Sequence, residues 1–525
     1  MNKEYVLSVL IPSRNEMFLG ETIKNILKNI EGDTEIIAVL DGYTEPIPDI
    51  PKDDRVRILK YKESIGQRAA TNEACKLSKA KYVMKTDAHC SFDKGFDVKM
   101  INEMHDDWTM IPIMYNLHAF DWVCKNGHRR YQGPSGKCEE CGEETKKDIL
   151  WKEKRNPEST SYRFDNTLHF QYWRDYKKKQ KGDLVETMSI QGSCFMLTRE
   201  KYWELNICDE KHGSWGQQGV EVACKTWLSG GRVIVNKKTW YAHMFRTQGG
   251  DFGFPYPNPG IKKAREYSRD LWINNKWDKA VRPFSWLIEK FDPPDWSNSK
   301  GILYYTDNKL DSKIMKICQD QIKVGAKQNK IVSVSLKKIG FGTSQITLPL
   351  ERGYLTMAKQ ILAGLKSLDT DIVFFCEHDI LYHHSHFEFI PPKKDVFYYN
   401  DNVWFLRLKD GHTLHYDANQ LSGLCAYREP LIKHYEERVA LIEKEGFSRR
   451  IGFEPMTHNR IEWKNKYGYE SWKSRFPNVD IKHTTNLTNA RWSKDQFRNK
   501  KFTKGWKEGE NWKIPGWDDL DKLIK

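Results

Sequence analysis

Short apolar runs that end on polar or acidic residues, separated by stretches of helical spacing, constrain this chain more than any other feature. Val6 to Ile11 (VLSVLI) is one run, closed by Pro12, and Glu35 to Leu40 (EIIAVL) is another, closing on Asp41-Gly42. Runs of this kind read as parallel strands buried on both faces. Between them Leu19, Ile23, Ile26, Leu27 and Ile30 recur at helical spacing. A third strand is expected over Arg55 to Tyr61, a helix over Gly66 to Ala80, and a fourth strand over Tyr82 to Thr86 running into Asp87-Ala88-His89. Sheets of this kind bind ligands beyond the carboxyl ends of their strands, so these polar tips predict one ligand site.

The chain has 525 residues, room for two to four domains at roughly 100–200 residues each. Residues 121–150, rich in Gly, Lys, Glu and paired Cys, interrupt the pattern and read as an insert. A stretch rich in Pro, Gly and Trp between about 250 and 300 suits a connector and puts a boundary near 290–300. The pattern then restarts with strands over Gly301 to Thr306, Ile331 to Leu336 and Asp371 to Cys376, and a helix near Tyr354 to Leu368. The expected plan is an α/β domain over 1–290 and a second α/β domain over 301–525. The basic, Trp-rich end is either packed by its aromatics or a solvated tail. Phe397, Tyr398, Tyr399 and Trp404 read as core.

Lys and Arg number 85 against 71 Asp and Glu, a net charge of +14. That balance favours a polyanionic partner such as nucleic acid, an anionic membrane surface or a phosphorylated substrate, and is equally the mark of an ordinary Lys-rich surface. With 39% hydrophobic and 13% aromatic residues the chain has ample core material, so wholesale disorder is excluded. No apolar run approaches the ~18 residues of a membrane span. The first residues lack the layout of a signal peptide, and a cytoplasmic location is expected. In a reducing compartment the 11 cysteines are buried apolar residues or metal ligands.

Cys124, His128, Cys138 and Cys141 lie within one short Gly- and Pro-containing segment of the insert. Three thiolates and an imidazole fill all positions of a tetrahedral zinc ion, which points to structural rather than catalytic Zn2+. Arg129, Arg130 and Lys137 between them could present cations to a phosphate backbone, or the segment is a plain rigid lobe.

Several further stretches resemble the GT-A nucleotide-sugar glycosyltransferases, in particular family-2-like enzymes and the polypeptide N-acetylgalactosaminyltransferases. They are IPSRNE at Ile11 to Glu16, TDAHC at Thr86 to Cys90, IQGSCFMLTREKYWELNICDE at Ile190 to Glu210, WGQQGVEVACKTWLSGGRV at Trp215 to Val233, and YAHMFR at Tyr241 to Arg246. The resemblance implies a GT-A (Rossmann-like) domain and a UDP-sugar donor. It implies Asp87, His89 and His243 as ligands of a Mn2+ or Mg2+ that bridges the donor diphosphate, and oxygen with imidazole donors suits such an ion. Pro12, Arg14, Glu16 and Asp41 would line the uracil and ribose pocket, and Arg68 would lie near the nucleotide. Glu221 falls where the family has an acidic residue on the acceptor side and is, with Asp87, the expected catalytic carboxylate. Gln218 stands where the family carries its first acidic residue, so no base acts there. Retaining and inverting chemistry both remain open.

In the second half, Glu377-His378-Asp379 follows a buried strand and resembles the metal motif of a second GT-A-like domain. Glu377, Asp379 and His483 are its expected ligands, His483 by analogy with His243; a domain that only binds acceptor or supports the first is the alternative. For the whole chain three readings stand. It transfers a sugar to a hydroxyl, with hydroxymethylated bases in DNA as one acceptor. It builds a polysaccharide with two sites. Or it is a non-enzymatic nucleic-acid-binding protein. The oligomeric state is not legible.

Overall fold

The computed structural model describes residues 4–44, 46–155, 159–246, 252, 253, 256, 259–448, 466–484, 491–497 and 503–524. Two compact units divide the chain, one of Met1–Trp272 with Trp277–Arg282, the other of Ile273–Lys276 with Pro283–Lys525. The sequence puts the boundary at 290–300; it lies after Arg282 because the helix Phe284–Phe291 packs within the second unit, Phe284 meeting Trp296 at 5.5 Å between ring centroids. Of the expected connector, residues 247–251, 254, 255, 257 and 258 lie outside the described residues.

The first unit opens with β1 (Leu7–Ser13), α1 (Leu19–Asn29), β2 (Thr34–Asp41), β3 (Val56–Tyr61), α2 (Gln67–Leu77) and β4 (Tyr82–Thr86). Then come β5 (Cys90–Phe92), β6 (Trp108–Cys124), β7 (Arg129–Tyr131), β8 (Thr145–Lys154), β9 (Leu184–Glu186), β10 (Cys194–Thr198), α3 (Gln218–Leu228) and β11 (Arg232–His243). They build one sheet in the order β9-β11-β6-β10-β4-β1-β2-β3. Strands β3, β2, β1 and β4 are parallel, β10 is antiparallel to β4, and β11 runs parallel to β6. Every residue of β1, β2 and β4 is buried, as central strands of a parallel sheet are, and the polar ones among them are paired, Ser8 with Glu35 and Lys85 with Asp87. Strand β3 lies at the edge, and its residues are partly exposed.

The segment 121–150 is not a separate lobe. It is the outer end of a ribbon in which β6 pairs with β7 and β8, and Phe120 and Trp122 join Phe18, Leu117 and Met244 in one apolar cluster. The core of that stretch is borrowed from the sheet.

The second unit repeats the plan. Its elements are β12 (Lys300–Thr306), α4 (Ser312–Ala326), β13 (Lys330–Ser335), β14 (Ser344–Thr347), α5 (Tyr354–Ser367), β15 (Ile372–Glu377), β16 (Ile380–Leu381), β17 (Val396–Asn400) and β18 (Val403–Arg407). They continue with β19 (His412–His415), β20 (Leu424–Tyr427), α6 (Arg428–Glu445), β21 (Gly468–Trp472), β22 (Asn478–Lys482) and β23 (Lys507–Gly509). One sheet runs β14-β13-β12-β15-β20-β17-β21 and another β16-β22-β18-β19-β23. Phe397, Tyr398, Tyr399 and Trp404 are buried, as expected of core. The basic end is packed, not solvated: β23 pairs with β19, and Leu520 and Ile524 enter a core cluster with Cys318, Leu406 and Val479. Among the described residues no helix is long and apolar enough to cross a membrane.

One close approach sets the position of α3. A Cβ on Gly219, in its first turn, would sit 2.0 Å from the carbonyl oxygen of Ile190, and one on Gly192 would sit 2.8 Å from the Gly219 amide. Because the obstacle is backbone, Gly219→Ala is expected to lower stability by about 1–3 kcal/mol, read as a shifted urea midpoint at unchanged slope.

Candidate active site

Asp87 is the first residue beyond β4, His89 precedes β5, and His243 ends β11, where the antiparallel β5–β11 pairing sets it opposite Cys90. One donor atom from each of Asp87, His89 and His243 lies within 4.8 Å of the other two. The two Nε2 atoms of His89 and His243 are 3.1 Å apart, and Asp87 Oδ2 lies 3.3 Å from that of His243 and 3.9 Å from that of His89.

The groups around these three set their protonation. Lys85, itself buried, donates to Asp87 Oδ1 at 2.5 Å and to the Gly192 carbonyl at 3.0 Å. Burial opposes the Asp87 charge, but Lys85 and the His243 hydrogen bond outweigh it and hold the carboxyl well below the usual carboxylate range. Burial pushes His243 down to about 4, so its ring is neutral near pH 7. Glu16 Oε2 lies 3.1 Å from Nδ1 of His89, while Arg246 donates to the other Glu16 oxygen. A proton on Nδ1 facing Glu16 leaves the Nε2 lone pair of His89 directed at Asp87 and His243, the tautomer following from the carboxylate neighbour. Two imidazole Nε2 atoms and a carboxylate oxygen gathered at these distances suit a shared divalent cation, which would take the place of the His243–Asp87 hydrogen bond and on which adjacent donors sit about 3 Å apart.

The remaining expected residues divide. Pro12 is buried within β1, and the Arg14 guanidinium lies 5.7 Å from the Tyr256 ring centre. Glu16 belongs with His89 rather than with a ribose. Asp41 accepts hydrogen bonds from the Ile65 and Gly66 amides, the Ser64 hydroxyl and the Tyr256 hydroxyl at 2.6–3.1 Å. It therefore holds the turn into α2 instead of presenting a free carboxylate.

Arg68 and Glu221 are corrected by the structure. Arg68 is buried, and Nε donates to Glu221 Oε2 at 3.0 Å while its other nitrogens bond the Gly213 and Gly216 carbonyls. Glu221 is fully buried, and its Oε1 accepts from the Asp209 amide at 2.7 Å and from Lys225 at 2.8 Å. Burial alone would raise its carboxyl, yet Lys225, His212 and Arg68 keep it well below the usual range. A carboxylate so saturated with donors is a poor proton acceptor. It ties α2 to α3, and Gln218, which donates to Cys208 Sγ at 3.0 Å, supports the same joint.

Two groups escaped the sequence reading. Lys85 had a signal, a lone cation inside the apolar run YVMKT; Arg246 sits within YAHMFR with no spacing that links it to Glu16. In the second unit the converging groups are His378, Asp379 and His483, and Glu377 is not among them. Glu377 stands beside Tyr305 in the parallel ladder and accepts its hydroxyl at 2.6 Å, which turns it to the opposite face from its neighbour His378. In the ribbon of the first unit, Cys124, His128, Cys138 and Cys141 cluster, with Cys124 Sγ 3.7 Å from Cys141 Sγ and Cys138 Sγ 3.6 Å from His128 Nδ1. The Glu143 amide, the largest influence on it, pulls the Cys141 thiol down to about 6.

This arrangement of strands and site is that of an α/β GT-A fold followed by a second α/β domain, and residues 8–205 match the model of the family Glycosyl transferase family 2. The first unit thus contains a glycosyl transferase family 2 domain. The chain is 26% identical over 146 residues to N-acetylgalactosaminyltransferase 6 of Drosophila melanogaster, covering 27% of this chain and 21% of that one. It is 22% identical over 298 residues to polypeptide N-acetylgalactosaminyltransferase 14 of Homo sapiens, covering 53% and 48%. The chain therefore spans at most about half the length of these two relatives. A crystal structure of GalNAc-T7 with UDP, GalNAc and Mn2+ superposes at a TM-score of 0.40 and 15% identity, over 57% of this chain and 60% of its own.

If Glu221 is scaffold, Glu221→Ala leaves Arg68 and Lys225 buried without their counter-charge. Chemical denaturation is expected to register a loss of roughly 3–5 kcal/mol. A catalytic carboxylate would instead lose activity at unchanged stability.

Proposed function

We propose that the first unit is a metal-dependent glycosyltransferase that moves a sugar from a UDP-sugar to an acceptor hydroxyl. The observation that carries this is the meeting of Asp87, His89 and His243 at the carboxyl edge of β4, with Lys85 and Glu16 behind them. A divalent cation held by these three, Mn2+ or Mg2+, would offset the charge that builds on the departing nucleotide diphosphate.

The protein's own part is positioning and electrostatics. Lys85 keeps Asp87 ionised, and Glu16 keeps His89 turned so that Nε2 faces the site. Arg14, near the carboxyl end of β1, offers a cation to donor phosphate or base. With Glu221 and Gln218 committed to the α2–α3 joint, neither of them takes the acceptor proton. The names of the aligned relatives support an N-acetylhexosamine as the sugar, with a polypeptide hydroxyl as acceptor.

Asp87→Ala and His89→Ala are expected to abolish Mn2+-dependent release of UDP from UDP-sugars, by at least ~100-fold; because Asp87→Ala also leaves buried Lys85 without its counter-charge, far-ultraviolet circular dichroism checks its fold, and His89→Ala, which keeps that pair, decides if Asp87→Ala does not fold. Glu16→Gln is expected to weaken Mn2+ affinity by about 10–100-fold in a titration, because the partner that orients His89 is lost. Retained metal-dependent turnover in Asp87→Ala would sink the reading.

We also propose that Cys124, His128, Cys138 and Cys141 hold a structural Zn2+. The 3.7 Å sulfur separation supports it, since two thiolates at about 2.3 Å from a tetrahedral ion lie that far apart. Elemental analysis of purified protein is expected to find one zinc per chain, and none in the Cys138→Ser, Cys141→Ser double variant.

A further inference from the structure

We propose that the second unit binds a divalent cation of its own through His378, Asp379 and His483, and through that cation the diphosphate of a second nucleotide. Its ligands belong to the second unit alone, and it does not require the first unit to be a glycosyltransferase.

The first support is topological. The strand order β3-β2-β1-β4-β10-β6-β11 in the first unit and β14-β13-β12-β15-β20-β17-β21 in the second is the same, strand for strand. The orientations agree as well: β15 is parallel to β12 and antiparallel to β20, and β17 is antiparallel to β20 and parallel to β21. The long β6–β11 pair of the first unit, with its register shift between Asn236 and Trp240, is cut in the second into β17–β21 and β18–β22, which splits the sheet in two. In each unit a short strand just beyond the central parallel strand pairs antiparallel with the last long strand: β5 with β11, and β16 with β22. That pairing delivers His243 to Asp87 in one unit and His483 to Asp379 in the other.

The second support is chemical. One donor atom from each of His378, Asp379 and His483 lies within 4.8 Å of the others. Asp379 Oδ2 is 3.2 Å from His483 Nε2, and the Thr306 hydroxyl at the end of β12 engages His378 Nδ1 at 2.7 Å, which orients that ring from behind. A third, independent sign is Asp480. Its side chain stands on β22 opposite Ile380; Oδ2 accepts from Lys482 at 2.7 Å and Gln420 at 3.2 Å, while Oδ1 is buried with no hydrogen-bond partner among the described residues. Asp379 and Asp480 thus bring two carboxylates to this cluster, with Lys482 bonded to Asp480. A divalent cation would offset these carboxylates, and a diphosphate at the carboxyl edge of the strands would supply it with further oxygen donors.

The test counts bound Mn2+ on the 525-residue chain, purified with zinc, by electron paramagnetic resonance, with and without UDP. Wild type is expected to hold two Mn2+ per chain in the presence of UDP. Asp379→Ala and His483→Ala are each expected to hold one, and Asp87→Ala one. In Asp87→Ala, UDP is expected to tighten the remaining site at least tenfold. Wild type holding a single ion that Asp379→Ala and His483→Ala both retain would overturn the proposal, and so would two ions in Asp379→Ala. A remaining site that UDP leaves unchanged would overturn its nucleotide part. Should Asp379→Ala fail to fold, His378→Ala, whose side chain is partly exposed, decides the same count. If instead Asp87→Ala keeps both ions while Asp379→Ala loses one, only the reading of the first unit fails.

Discussion

The buried ion pair between Lys85 and Asp87 is the interaction on which the first unit's site depends. A lysine in the middle of an all-buried strand cannot stay charged without a counter-charge and hydrogen-bond acceptors, and here both are supplied by Asp87 and the Gly192 carbonyl. The pair fixes the end of β4 against the 190–192 turn, which in turn leaves no room for a side chain on Gly219 at the start of α3. The same charge keeps Asp87 ionised although it is largely buried. The floor of the Asp87, His89 and His243 cluster thus has a cation built into it.

Behind this lies a second buried charge system that serves the scaffold. Glu221 joins Arg68 of α2 to Lys225 of α3, with the Asp209 amide and His212 completing the shell. Such networks contribute little net stability when intact, yet they are costly to break because each charge left behind is unpaired. Arg68 and Lys225 both donate to Glu221, which ties α2 to α3.

The repetition of strand order between the units gives the chain two carboxyl edges of the same construction. They differ in what surrounds the two Asp/His clusters. In the first, Lys85 comes from the central parallel strand and Glu16 orients a histidine. In the second, the lysine is Lys482 on the last long strand, and a threonine takes the orienting place. The same backbone plan therefore carries two different electrostatic environments, and the charge around each, not the fold, decides what it can hold.

Much of this was legible in the residues before any coordinates. The apolar runs at Val6 to Ile11, Glu35 to Leu40 and Tyr82 to Thr86 dictated buried parallel strands because their residues have no polar face to turn to water, and the tips of those runs named Asp87 and His89. The spacing of Cys124, His128, Cys138 and Cys141 named that cluster in the same way, being local in the chain. Resemblance alone supplied His243. What the residues could not reveal was which carboxylates are spent on the protein itself: Asp41 and Glu221 look like ligands or bases until their donors, many from distant segments, are seen around them. Glu377 and His378 were likewise indistinguishable until the β12–β15 register turned one toward Tyr305 and the other toward Asp379. Local pattern determined the strands, the helices and the residues at their tips, because burial and backbone geometry act over a few neighbours. Tertiary structure decided which of those tips meet and which charges remain for a ligand, because Coulomb and hydrogen-bond partners come from strands and helices far apart in the chain.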